Sequence, residues 1–249
     1  MAKLFAYPLT IIYYLVFGLT LLIFHPIQWI CYNLFGYQAH KKSVDYLNFC
    51  LTACLYILGH RVRFDYKAKP ARNIPSIIVA NHQSMNDIPP IIWHMRKLHP
   101  KFISKKELGK GIPSVSYNLR HGGSVLIDRK DPDQAIAEIR NIAAYAEKNK
   151  RGVVIFPEGT RSRTGAMKKF RRTGIKTLIR NMPTAQIVPV TVNNSWKTLK
   201  YGKFPMGLGA KITFTVHEPL LVSSATPNEL IDLTEEKIVS AIDPNIKRS

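Results

Sequence analysis

From Leu4 to Phe24 the chain runs for 21 residues without a charge (LFAYPLTIIYYLVFGLTLLIF). As a helix, that length covers the hydrocarbon thickness of a bilayer. A cleaved signal peptide would be followed by a small-residue cleavage site. His25-Pro26-Ile27-Gln28-Trp29 comes next instead, so a retained anchor is expected. A second apolar stretch, Tyr46 to Leu58, lies between Lys41-Lys42 and Arg61, Arg63. It is short for a span and reads as a re-entrant, half-inserted helix or as a buried helix of the succeeding domain. Two helices that enter and return leave the rest of the chain where it began. With Lys3 as the flanking cation, the positive-inside tendency makes that side cytoplasmic.

Beyond about residue 61 the pattern changes period. Ile74–Ala80, Gly123–Ile127, Gly152–Phe156, Ile187–Val192 and Lys211–Val216 are short, β-branched runs that read as buried strands. Pro89–Leu98 and Pro132–Lys148 read as helices; in the latter Ala135, Ile139, Ile142 and Ala146 recur at spacings of three and four. Such alternation predicts an α/β fold with a largely parallel mixed sheet covered by helices. The division expected is an N-terminal membrane-docking segment, 1–60, and an α/β domain, 61–249. The polar tail after Pro219 reads as helical.

Charge sharpens this picture. The 249 residues carry a formal net charge of +20. Only +2 of it falls within residues 1–60, leaving +18 on the domain. A field of that sign attracts anionic head groups, phosphorylated substrates, acidic carrier proteins or nucleic acid. The basic residues are not interleaved with aromatics as in a recognisable nucleic-acid module, so no nucleic-acid partner is expected. Cys31, Cys50 and Cys54 all lie in the apolar third. Without Cys-x-x-Cys spacing or clustered histidines they suggest reduced thiols, and no metal site is expected.

The candidate chemistry begins after the first of these strands, in Asn81-His82-Gln83-Ser84-Met85-Asn86-Asp87. Pro89 and Pro90 place the first turn of the next helix near Ile88. His82 therefore lies in a loop at the carboxyl end of a strand, where open α/β sheets place their ligand crevice. Taken singly, His82 is an ordinary loop histidine and Asp87 a helix cap. Taken together, a loop folds them into contact, with Asp87 accepting from one ring nitrogen and the other left as a base. That is a serine-hydrolase relay in which a substrate hydroxyl replaces the serine.

The heptapeptide matches the N-H-x-x-x-x-D signature of the glycerolipid acyltransferase family, which includes the 1-acyl-sn-glycerol-3-phosphate acyltransferases. Three further blocks resemble that family in order: Gly123-Ser124-Val125-Leu126-Ile127-Asp128-Arg129, Phe156-Pro157-Glu158-Gly159-Thr160-Arg161-Ser162 and Ile187-Val188-Pro189-Val190. The resemblance covers roughly residues 75–195. It departs where the family usually reads F-K-x-G, for Phe170-Arg171-Arg172-Thr173-Gly174 carries an extra residue before the glycine.

The resemblance implies acyl transfer from a thioester to the free hydroxyl of a lysophosphatidate, giving phosphatidate. His82 is then the general base and Asp87 the residue that fixes its tautomer. No G-x-S-x-G elbow is present and no cysteine lies near the motif, so direct transfer without an acyl-enzyme is expected. Gly159 is a candidate N–H donor to the oxyanion. For the acceptor phosphate, Arg161 is the first candidate, in a loop with Thr160 that Glu158 organises; Arg129 and Lys105 come second and third, arginine being suited by its forked donors. Lys168, Lys169, Arg171, Arg172 and Lys176 read as solvated surface. No resident cofactor is expected, since acyl-coenzyme A or acyl carrier protein enters as co-substrate. The expected setting is the bilayer at the cytoplasmic face, a bacterial inner membrane. The alternatives are another acceptor in the same family (glycerol-3-phosphate, a lysophospholipid or a lyso-aminolipid), a membrane-anchored nucleic-acid binder, or an inactive scaffold.

Overall fold

The structure, a computed structural model, describes residues 2–244 and Ile246. The first apolar stretch and most of the second belong to α1 (Ala2–Cys54), which is broken at Gly36. With φ 77° and ψ −175°, Gly36 adopts a backbone conformation that a residue without Cβ reaches at little cost. The chain doubles back there: Leu21 of the first arm clusters with Leu47 and Leu51 of the second, beside Phe17 and Phe24. The stretch from Tyr46 to Leu58 is thus the end of a returning arm plus a 3-10 turn (Leu55–Leu58), and it faces two ways. Cys54, Leu55 and Leu58 enter the domain core, as does Val44 just before the stretch, whereas Tyr46, Phe49 and Tyr56 are exposed. Hairpin and domain therefore share one core.

The first arm is covered far less. Leu4, Leu15, Leu34 and Phe35 are 67–73% exposed. Apolar surface on this scale marks a membrane- or partner-facing region, and by length and composition the helix is able to cross a bilayer.

The domain comprises β1 (Arg61–Tyr66), β2 (Ser76–Ala80), α2 (Ile88–His94), β3 (Pro100–Lys105), α3 (Val115–His121), β4 (Val125–Ile127), α4 (Pro132–Asn149), β5 (Gly152–Ile155), α5 (Arg172–Asn181), β6 (Gln186–Asn193), β7 (Lys211–Val216), β8 (Leu220–Leu221) and α6 (Pro227–Ser240). The strands form one sheet ordered β1-β7-β6-β2-β5-β3-β4, with β8 also paired to β6. The run β6-β2-β5-β3-β4 is parallel, and β7 and β8 lie antiparallel to β6. The five expected strands all form. Pattern reading passes over β1, an edge strand whose Arg61 and Arg63 point to solvent, over β3, which carries lysines at both ends, and over α3 and α5.

Alternation along β2 explains the layers. Ile77 and Val79 face a core formed with α4, α5 and α6, while Ile78 and Ala80 face a core formed with α2 and the hairpin. Each side chain of this kind stabilises by about 1.5–3 kcal/mol when removed from water. Because β2, β5 and β6 are adjacent and parallel, the segments that continue from Ala80, Ile155 and Asn193 emerge together at the carboxyl edge of the sheet. That edge is where the candidate residues converge.

Candidate active site

Asn81 closes β2 against its neighbour. Its side-chain amide donates to the Val192 carbonyl (2.9 Å) and accepts from the Val192 N–H (2.6 Å), so the loop leaves the sheet from a fixed point. Over the next six residues the chain wraps around one carboxylate. Asp87, fully buried, accepts from His82 Nδ1 (2.8 Å), from the N–H groups of Gln83 (2.8 Å) and Ser84 (2.9 Å), and from the Ser195 hydroxyl. The cap and relay roles coincide: the Ser84 N–H bond completes a capping box on the short turn Met85–Asp87 that leads into α2. These bonds together hold the carboxylate in one orientation.

Because a carboxylate can only accept, the Asp87 bond places the ring proton on Nδ1 and leaves a lone pair on Nε2 in the neutral ring. The ring lies flat against Phe156, with centroids 4.1 Å apart and planes at 18°. Its side chain is 14% exposed, and Nε2 has no partner among the described residues. The site presents a fixed, open basic nitrogen.

Glu158 supplies a second buried carboxylate, at 3% exposure. It accepts from the His82 N–H (2.7 Å) through one oxygen and from the Lys168 N–H (2.9 Å) through the other. Ser162 N–H donates back to the His82 carbonyl (2.8 Å). Burial raises the Glu158 pKa, against the lowering effect of those two N–H donors. Glu158 thus laces the histidine loop, the loop after β5 and the strap before α5 into one unit.

One expectation changes here. The N–H of Gly159 closes its own turn onto the Phe156 carbonyl (3.0 Å), so it is not free to serve an oxyanion. What its lack of a side chain does is admit Arg171: a Cβ at residue 159, where φ is +68°, would stand 3.3 Å from Arg171 Nε. Arg171 is exposed, in keeping with the surface position that the sequence pattern assigns it, and its side chain lies over the loop that bears Thr160 and Arg161.

Arg129 belongs to the same cationic patch. Its pKa is held below the ordinary guanidinium value by partial burial and then by Arg171, with Glu107 opposing and Arg161 adding to the shift. Lys105 pairs with Ile127 in register, two residues before Arg129, and so lies at the same edge of the sheet. Thr160 and Arg161 are exposed, and Lys168 Nζ donates to the Arg161 carbonyl (3.3 Å). Arg172 and Lys176 turn away, toward Asp232 and Asn228 of α6. Among the described residues, no group of three His, Cys, Asp or Glu side chains is placed to hold a metal.

Ser195 is a member of this site that the sequence does not reveal. It lies 108 residues from Asp87, and its only signal is position, just past the strand that borders β2.

A family model described as Acyltransferase matches residues 61–193. The 1-acyl-sn-glycerol-3-phosphate acyltransferase of Saccharomyces cerevisiae is 26% identical over 193 residues, covering 74% of this chain and 61% of that protein. The Helicobacter pylori protein of the same description is 36% identical over 124 residues, 49% of each chain. The chain spans about half to three-fifths of the length of the curated relatives it matches. The crystal structure of the 1-acyl-sn-glycerophosphate acyltransferase PlsC from Thermotoga maritima superposes with a TM-score of 0.79 at 22% identity, covering 97% of this chain and 96% of that one.

Proposed function

The chain belongs to the acyltransferase family, and from that premise we propose that it moves a fatty acyl group from an acyl thioester to the sn-2 hydroxyl of 1-acyl-glycerol-3-phosphate, giving phosphatidate. The observation that carries this reading is the His82–Asp87 pair, with Nε2 open and the rest of the loop locked.

In this reading the acceptor hydroxyl hydrogen-bonds to Nε2, which takes its proton as the oxygen attacks the thioester carbonyl. Asp87 stabilises the imidazolium that forms. When the tetrahedral intermediate collapses, the C–S bond breaks and the imidazolium returns the proton to the departing thiolate. Arg161, Arg129 and Arg171, with Lys105 at the same edge, receive the acceptor phosphate, and Glu158 keeps the Gly159-Thr160-Arg161 turn in register with His82. The reaction needs no resident cofactor. Acyl-coenzyme A and acyl carrier protein are both anionic, and the +20 charge suits either donor. The hairpin anchors the enzyme at the cytoplasmic face of a membrane, a bacterial inner membrane in the first instance, where the bilayer supplies the acceptor.

The test is acyl transfer by detergent-solubilised protein, with both coenzyme A thioesters and acyl carrier protein thioesters as donors. The acceptors are lysophosphatidate, glycerol-3-phosphate and neutral or zwitterionic lysolipids, and His82→Ala is the control. Phosphatidate formed by the wild type alone is the expected result. Transfer confined to another acceptor would retain the chemistry and overturn the substrate, and no transfer from any donor would overturn the activity.

A further inference from the structure

A cleft of about 290 Å³ opens between the loop after β1 and the turn after α2. Lys69, Pro70 and Arg72 precede β2, so this cleft sits at the amino end of the strand whose carboxyl end carries His82. Its walls bring together Lys69 and Arg72 from one side and Arg96 and Lys97 from the other, over Tyr66, Met95 and Leu98, with no carboxylate in the lining. Asp45 offsets part of the Arg96 charge from outside the lining, but the four cations still repel one another across the cleft, and an anion shared between the walls lowers that cost.

Arg96 is held in place. Its guanidinium lies 4.0 Å from the Trp93 ring centroid and donates to the Trp93 carbonyl (2.7 Å). The aromatic rings packed against Trp93 belong to the hairpin: Phe49, with ring centroids 4.8 Å apart, and Tyr46 at 6.2 Å. Both are exposed on the returning arm. The molecule thus presents, in order, an uncovered apolar hairpin, a Trp/Tyr/Phe cluster and a basic cleft. That is the order of environments met on leaving a bilayer, with aromatic residues at head-group level and cations where anionic phosphates lie.

We propose that this cleft binds the phosphate of an anionic phospholipid at the membrane surface, at a site separate from the one that receives the acceptor. The cleft suits a phosphate with its glycerol, Tyr66 and Leu98 lying against the glycerol while Arg72 and Lys97 reach the phosphate from opposite walls. This inference rests on the hairpin's association with a membrane and not on the catalytic reading, so either can fail alone.

The test uses the full chain in neutral detergent, titrated with short-chain phosphatidylglycerol, short-chain phosphatidylcholine and inorganic phosphate. Heat and thermal shift are recorded together. Arg72→Ala/Lys97→Ala removes one exposed cation from each wall. Arg140→Ala/Lys148→Ala removes the same charge from exposed positions of α4, on the opposite face of the sheet. Saturable binding of phosphatidylglycerol, at least tenfold weaker in the first pair and unchanged in the second, is expected. Equal loss in both pairs would reduce the effect to net charge and overturn the site. Equal affinity for phosphatidylcholine would do the same, and inorganic phosphate binding as tightly would replace the lipid with a free anion.

Discussion

His82 and His99 are each held at Nδ1, and the difference in what holds them separates a reactive group from a structural one. Asp87 accepts from His82, so the proton sits on Nδ1 and the outward nitrogen keeps its lone pair. Arg151 donates to His99, so that lone pair is spent and the proton moves to Nε2, 3.0 Å from the Tyr37 hydroxyl. Around Asp87 every bond points inward to one acceptor and leaves an open valence at the surface. Around His99 the bonds run on to further groups: Tyr37 and Lys101 both donate to the Gly122 carbonyl, and Tyr145 donates to Tyr37. Burial together with the charges of Lys101, Arg151 and Lys41 lowers the His99 pKa to about 2, so it stays neutral. A buried polar network does chemistry where it leaves something unfinished, and its identity depends on the sign of the charge behind the ring.

The comparison breaks if the two histidines can be exchanged in their effects. The largest effect expected is on His82→Ala, with turnover falling by ~10²–10⁴ from loss of general-base help and the melting temperature nearly unchanged. His99→Phe should reverse the pattern. It strands the Arg151 guanidinium without its partner, whereas Tyr37 keeps Gly122 and Tyr145, at a cost of about 1–3 kcal/mol, while specific activity per folded molecule holds. Parallel rate and unfolding measurements on the two variants check both halves. A loss of activity in His99→Phe without a loss of stability would show that the hairpin-side cluster takes part in the reaction.

Next in size is Ser195→Ala. Among the described residues the hydroxyl is one of four donors to Asp87 and the only one from outside the histidine loop. A hydrogen bond to a charged group contributes about 1.5–3 kcal/mol, and the other three donors keep the carboxylate in place. Turnover should fall by roughly tenfold, with little change in KM for the acceptor. Arg171→Ala should show the opposite split, a several-fold rise in acceptor KM at near-normal turnover. Steady-state kinetics against lysophosphatidate separates the two. An unchanged KM in Arg171→Ala would leave that residue at the surface with no part in holding the acceptor.

What can be read in the chain depends on how locally each feature is encoded. His82 and Asp87 stand five residues apart on one loop, and Pro89 with Pro90 fixes where the helix begins, so the pair is legible without a fold. Ser195 is not, because its contact depends on β6 lying beside β2, a fact of topology. Arg171 is hidden for a related reason: it is admitted by the missing side chain of Gly159, and spacing along the chain says nothing of that. Among the strands, β2 and β7 announce themselves through β-branched runs. β3 does not, since Lys101 occupies a position that burial would ordinarily deny to a lysine. Likewise the apolar residues before Gly59 speak for helices, but that one face of the returning arm packs on the sheet is set by partners far away in sequence.

Lys101 offers the finest test of the comparison. It is 5% exposed, and burial, then Arg151 and Lys41, lower its pKa to about 7, with Asp45 opposing. In the unfolded chain the same lysine titrates near 10.4. Between about pH 7 and 10 the unfolded state therefore binds more protons than the folded one, and stability rises with pH through that window. Lys101→Met keeps a flexible chain of similar length in the same space, and the Gly122 carbonyl retains the Tyr37 hydroxyl as a donor. The variant should melt about 2–4 °C higher than the wild type near neutral pH, for a gain of about 1 kcal/mol. That difference should shrink steadily toward about pH 10, where the lysine of the unfolded chain loses its proton as well. Turnover should be the same in both, because nothing in this cluster opens toward His82 Nε2. A difference in melting temperature that stays constant with pH would mean that Lys101 is comfortably charged in the folded state, and that the closed network is held together by its cations rather than in spite of them.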